Sequence, residues 1–162
     1  MNMLEPRGLL PLPHVYEQTH RAFAESGGRG RWSSASSQLA RELQQTPTHV
    51  VSLDWGLHEP LAFLGAGKSL EEAHWKITDA RRRARTWRAR GNQDHLYVLH
   101  VPPYDLVGYG ESFLEAARSR GPEFSEIRVY ADGRGDTALV TVRFPDKHEI
   151  LYDGNFAIRR LQ

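Results

Sequence analysis

The sequence predicts a single α+β domain in which a mixed, mostly antiparallel sheet packs against one long helix. Three observations carry that prediction. From Ser69 to Arg90 the apolar residues Leu70, Ala73, Ile77, Ala80, Ala84 and Trp87 recur at steps of three or four, with Ala84 and Trp87 extending the series, as on one stripe of a single helix. Leu96 to Val101 then forms a nearly unbroken apolar run, the pattern of a strand covered on both faces and lying inside a sheet. From Phe124 onward strand-like segments alternate with Asp132-Gly133 and Asp153-Gly154, where hairpins need residues that tolerate positive φ.

The elements follow in order. His14 to Ser26 places Val15, Thr19, Ala22 and Phe23 on one side, a short helix or a strand running into one, and Gly27-Gly28-Arg29-Gly30 breaks it. The serines from Ser33 to Ser37 offer N-caps to a helix carrying Leu39, Ala40 and Leu43, which Pro47 closes. His49 to Leu53 reads as a short strand, Trp55 to Pro60 as a loop, and Leu61 to Leu64 as a second short strand feeding the long helix. Gly91-Asn92 ends that helix. After the strand Leu96 to Val101, stopped by Pro102-Pro103, a short helix from Glu111 to Arg120 turns Phe113, Leu114 and Ala117 inward. Strands follow at Phe124 to Ala131, Thr137 to Phe144, Glu149 to Tyr152 and Phe156 to Arg160. No repeat or linker divides the chain, so residues 1–162 form one domain, with 1–13 irregular.

Composition narrows the class of protein. A chain of 162 residues can bury a proper core, about two thirds of the surface its unfolded form exposes. Its apolar and charged fractions, 40% and 25%, are those of an ordinary globular protein rather than a disordered or membrane one. Without cysteine there is no disulfide and no thiolate metal site, as expected in a reducing cytoplasm and equally compatible with a cysteine-free secreted effector. Leu9, Leu10 and Leu12 are interrupted by Pro11 and flanked by Pro6, Gly8 and Pro13, too short and broken a stretch for a classical signal peptide or a membrane span. The eight histidines show no zinc spacing on one helix, so no metal is expected.

Charge is the most uneven property. Between Lys76 and Arg90 seven basic residues stand against Asp79 alone, in a chain whose net charge is only +1. Arg81, Arg82, Arg85 and Arg88 on such a helix could neutralise phosphates of a nucleic acid, or dock on an acidic protein. Trp87, on the apolar stripe, is expected in the core, although a tryptophan there could also stack on a base.

Two local motifs have simpler readings. Ala62 to Ser69 fits a relaxed phosphate-loop pattern, but Ala62 replaces the first glycine. Ser69 and Glu72 are instead expected to form a capping box at the start of the long helix. Arg134-Gly135-Asp136 is expected in a hairpin turn.

A set of short stretches gives a more specific expectation. Val15-Tyr16 before Gly27-Gly28, His49-Val50-Val51-Ser52, Leu96 to Val101 before Pro102-Pro103, and Glu123-Phe124-Ser125-Glu126-Ile127 occur in an order that resembles the ADP-ribosyltransferase fold of enterotoxin-type bacterial toxins. The resemblance implies a split sheet and NAD as cofactor. It implies Glu126 as the catalytic glutamate that stabilises the charge developing as nicotinamide leaves, and Glu123 as the residue positioning the acceptor. Tyr16 would stack on the nicotinamide, with His49 and Ser52 holding its amide or ribose. The chain departs from the family pattern at Glu17, where many members have arginine, in retaining only Ser52 of a serine-threonine-serine signature, and in spacing Glu123 and Glu126 by three. Two functions are therefore expected: an NAD-dependent ADP-ribosyltransferase-like toxin or effector domain, or a nonenzymatic module binding nucleic acid or protein through the arginine-rich helix 76–90.

Overall fold

A computed structural model describes residues 33–46, 48–65 and 69–162. The element at His14 to Ser26, Tyr16, Pro47 and Lys68 lie outside these. Twelve elements follow one another: α1 (Ser34–Gln45), β1 (His49–Ser52), α2 (His58–Phe63), β2 (Ser69–Glu72), α3 (Ala73–Arg82), β3 (Trp87–Gly91), β4 (His95–His100), α4 (Gly110–Arg118), β5 (Glu126–Ala131), β6 (Thr137–Arg143), β7 (His148–Tyr152) and β8 (Phe156–Arg160).

The strands of the described residues form two sheets. A five-stranded sheet has the order β2-β1-β4-β6-β5, and a three-stranded sheet the order β3-β7-β8. The pairs β1–β2 and β1–β4 are parallel and the other four are antiparallel, so the α+β architecture is predominantly antiparallel. The apolar run expected to be central is β4, the middle strand of the larger sheet.

Each face of that sheet has its own core. Val50, Leu96, Val98, Leu139 and Tyr130 join Ala35, Leu39 and Leu43 of α1 and Leu61 of α2 in one buried cluster. Val51, Tyr97, Leu99, Val140 and Val142 join Ile77 of α3, Phe113 and Ala117 of α4, and Trp87, Ile150, Tyr152 and Ile158 of the small sheet in the other. The two-residue alternation of side chains along a strand produces this division.

The long helix is the main correction. Residues 69–72 are strand, α3 stops at Arg82, and Trp87 lies on β3. From Thr86 to Arg90 exposed and inward-facing residues alternate, with Trp87 and Ala89 in and Arg88 and Arg90 out, which is the period of a strand. Trp87 also continues the three- and four-residue steps of Ala80 and Ala84, so both periods claim it.

The stop itself is a Schellman motif. The Arg85 amide donates to the Ala80 carbonyl at 2.9 Å and the Ala84 amide to that of Arg81 at 3.2 Å. Ala84 occupies the left-handed position at φ 50°, where glycine is usual, and it is exposed rather than part of the apolar stripe. A Cβ in that region costs about 1–2 kcal/mol, so Ala84→Gly is expected to stabilise the protein by roughly 1 kcal/mol. Chemical denaturation measures this directly, and an unchanged or lower midpoint would contradict the motif.

Smaller corrections have equally local causes. Ser69 begins β2, so there is no capping box: the N-cap of α3 is Glu72, with no side-chain bond to the helix. Leu61 to Leu64 is not a strand but falls mostly in α2, whose first turn accepts Pro60 because the missing amide hydrogen is not needed there. Gly91 ends a strand instead of a helix. At the β5–β6 turn the positive φ belongs to Gly135 rather than Gly133, and Asp132 Oδ1 accepts from the amides of Arg134 and Asp136.

Candidate nucleic-acid interface

The arginines that the sequence places on one helix are distributed over three consecutive pieces of backbone. Arg81 and Arg82 close α3, Arg85 lies in the turn, and Arg88 points outward from β3. All four are exposed, and among the described residues none has a carboxylate within ion-pair distance. Their neighbours do: Arg83 Nε is 2.9 Å from Asp79 Oδ1, and Arg90 Nε is 3.7 Å from Glu149 Oε1.

The surface continues across the small sheet. Cross-strand register places Arg90 beside Glu149 and Glu149 beside Arg159, so these three share its outer face with Arg88. Arg159 is exposed as well. Glu149 is the single carboxylate in that row, and its side chain is largely buried. The inner face of the same strands carries Trp87, Tyr152, Phe156 and Ile158, which anchor the sheet.

Beneath the end of β3 lies a group of histidines. His49 and His95 are register partners on β1 and β4, with ring centroids 4.7 Å apart. His148, fully buried on β7, faces Gly91 of β3. Its Nδ1–H donates to the Asp146 carbonyl at 2.8 Å, leaving Nε2 to accept from the Tyr97 hydroxyl at 2.7 Å. This bond joins the two sheets, since Tyr97 belongs to β4. Gly91 makes room for it, because any Cβ there would collide with both His148 Nε2 and the Tyr97 hydroxyl.

Burial holds the His148 and His95 imidazoles below their usual pKa of 6.5, and charge repulsion between the histidines adds to this. Nearby, Glu71 is held below the usual carboxylate range chiefly by Lys76, whose Nζ donates to it at 2.6 Å. Asp94 and Glu71 partly offset the effect at His95. As pH falls, the unfolded histidines take up protons near 6.5 before the folded ones do, so the stabilisation is complete above that value and shrinks below it. Each such proton changes stability by at most about 1.4 kcal/mol per pH unit. Urea midpoints should therefore fall from pH 7.5 to 5, less steeply in His148→Gln than in the parent. Parallel pH profiles for the two would remove His148 as a contributor.

The described residues expected to serve NAD are not gathered in one place. Glu126 opens β5 and is bound by Arg128 at 2.6 Å, while the Tyr130 hydroxyl donates to Glu42 at 2.7 Å. Together they line a groove of about 430 Å³ that also includes Thr48, Leu96 and Arg143. Glu123 and Glu126 do border one further surface depression, with Arg143. His49 and Ser52 are not with them: β4 and β6 separate β1 from β5, and Glu126 shares the face of its register row Arg143 and Leu96, opposite to that of His49. Ser52 is buried and donates to the Asp54 carbonyl at 2.8 Å, which fixes a turn. His49 Nδ1 lies 2.6 Å from Ser69 Oγ.

Two features were absent from the sequence reading. Asp54 and His100, just past β1 and at the end of β4, form a fully buried pair with Oδ2 and Nδ1 2.6 Å apart. Trp75, not Trp87, is the tryptophan that α3 leaves exposed. Both follow from backbone register and helix phase, which no local motif announces.

Among the described residues no three His, Cys, Asp or Glu side chains are grouped to hold a metal ion, and no helix is long and apolar enough to cross a membrane. No protein-family model, curated protein or solved structure matches the chain.

Proposed function

We propose that this protein is a nonenzymatic nucleic-acid-binding module whose contact surface runs from the end of α3 through the turn to β3 and the outer face of the small sheet. The observation that carries this reading is the set Arg81, Arg82, Arg85 and Arg88, exposed on adjoining elements without a carboxylate partner among the described residues. A bland reading accounts for half of it. Cations in the last turn of a helix interact favourably with its free carbonyls, by about 0.3–1 kcal/mol, which suffices for Arg81 and Arg82. Arg85 and Arg88 lie beyond the helix and gain nothing from it. Four uncompensated charges kept close together repel one another, and a partner dense in phosphate relieves that repulsion. Planar guanidinium groups also match phosphate oxygens in pairs, so arginine suits this role better than lysine.

The test is anisotropy of a labelled oligonucleotide. The parent should bind at low salt, Arg82→Glu with Arg85→Glu and Arg88→Glu should not, and Glu126→Gln should bind as the parent does. If the domain instead turned over NAD at Glu126, that last variant would abolish nicotinamide release and the arginine changes would leave it unaltered.

A further inference from the structure

We propose that the nucleic acid taken by this surface is single-stranded, with one base stacked on Trp75; the inference rests on the binding function proposed above. Trp75 is 55% exposed, an unusual position for the largest apolar side chain. It lies seven residues before Arg82 on α3, hence on the same side of the helix and about 10.5 Å along its axis. Buried Ala73 and Ile77 fix the opposite side, and buried His74 lies on the flank between. Asp79 lies on that exposed stripe between them, and its charge is taken by Arg83 at 2.9 Å, so it does not set a bare carboxylate between ring and guanidinium.

The ring is also supported from behind. The imidazole of His74, which is 1% exposed, lies with its centroid 4.6 Å from that of Trp75 and tilted by 40°. A backed aromatic face beside a line of arginines is what a flexible strand can use, with a base on the ring and the backbone following the charges. A duplex keeps its bases stacked on each other and offers such a ring no free face. Trp87, which begins β3 next to the arginines, is buried and cannot serve.

The experiment uses the full chain and three labelled probes at one ionic strength: an oligothymidylate, a mixed-sequence duplex of equal length, and heparin, which has charge without bases. The single strand should bind most tightly. Trp75→Ala should weaken it by about 10-fold or more, with thermal midpoint and salt dependence unchanged, because neither the core nor a phosphate contact is altered. Trp75→Phe should recover most of the affinity. Heparin binding should be indifferent to both variants. Equal affinity of Trp75→Ala and parent for the single strand, or a preference for duplex, would overturn the stacking inference while leaving the cationic surface in place. Failure of the parent to bind any of the three probes at low salt would overturn both.

Discussion

Trp87→Ala is expected to lower stability by about 3–5 kcal/mol, the range for emptying a large buried aromatic site. Trp87 is 8% exposed and belongs to the cluster that contains Ile77 of α3, Val140 of the large sheet and Tyr152 of the small one. It begins β3 opposite Tyr152, so its side chain is inserted at the point where a helix and both sheets meet. Removing it leaves a cavity that the paired backbone of β3 and β7 cannot easily close. The loss should appear in urea unfolding as a lower midpoint with a similar slope. A change below about 1 kcal/mol, the size of an ordinary surface effect, would mean that the small sheet is not packed on the rest of the core through this residue.

Much of this fold was legible in the sequence, and the failures have specific causes. The continuous apolar run at β4 identified the central strand because only a strand covered on both faces needs one. The hairpins β5–β6 and β7–β8 were visible in their turn residues, and α4 in the spacing of Phe113, Leu114 and Ala117. The break after Arg82 was not visible. Its left-handed residue is Ala84, whereas a glycine would have announced it, and Trp87 satisfies the helical period and the strand period together. A short apolar run such as Leu61 to Leu64 carries no usable period, so helix and strand look alike there.

The candidate site shows the same limit. The local excess of arginine was plain from counting, yet its division among helix, turn and strand depends on that unseen break. His49, His95 and His148 are separated by long stretches of chain and share no motif. They are assembled only by the parallel pairing of β1 with β4 and the approach of the small sheet. Short stretches that resemble a family by order carry still less positional information: His49 and Ser52 sit three residues apart on one strand, and that odd spacing sends them to opposite faces.

The second large effect is expected on binding. Replacing Arg82, Arg85 and Arg88 together by glutamate should reduce affinity for a single strand by about 100-fold or more at low salt, since attraction to phosphate is replaced by repulsion. The fold should survive, because all three side chains are exposed and outside both cores. Arg88 alternates with the inward residues Trp87 and Ala89, so changing it leaves the packed face of β3 intact. Circular dichroism and the thermal midpoint would confirm that the loss is not one of folding.

The salt dependence of binding tests the cationic surface most directly, because it reports phosphate contacts whatever the sequence bound. If Arg81, Arg82, Arg85 and Arg88 each meet one phosphate, the plot of log affinity against log salt for a single strand should have a slope of about −3. The triple charge reversal should make it shallower by about 2. That pair of slopes is the result expected here. A parent slope near zero, or a steep slope that the triple variant leaves unchanged, would contradict the assignment of nucleic-acid binding to these arginines.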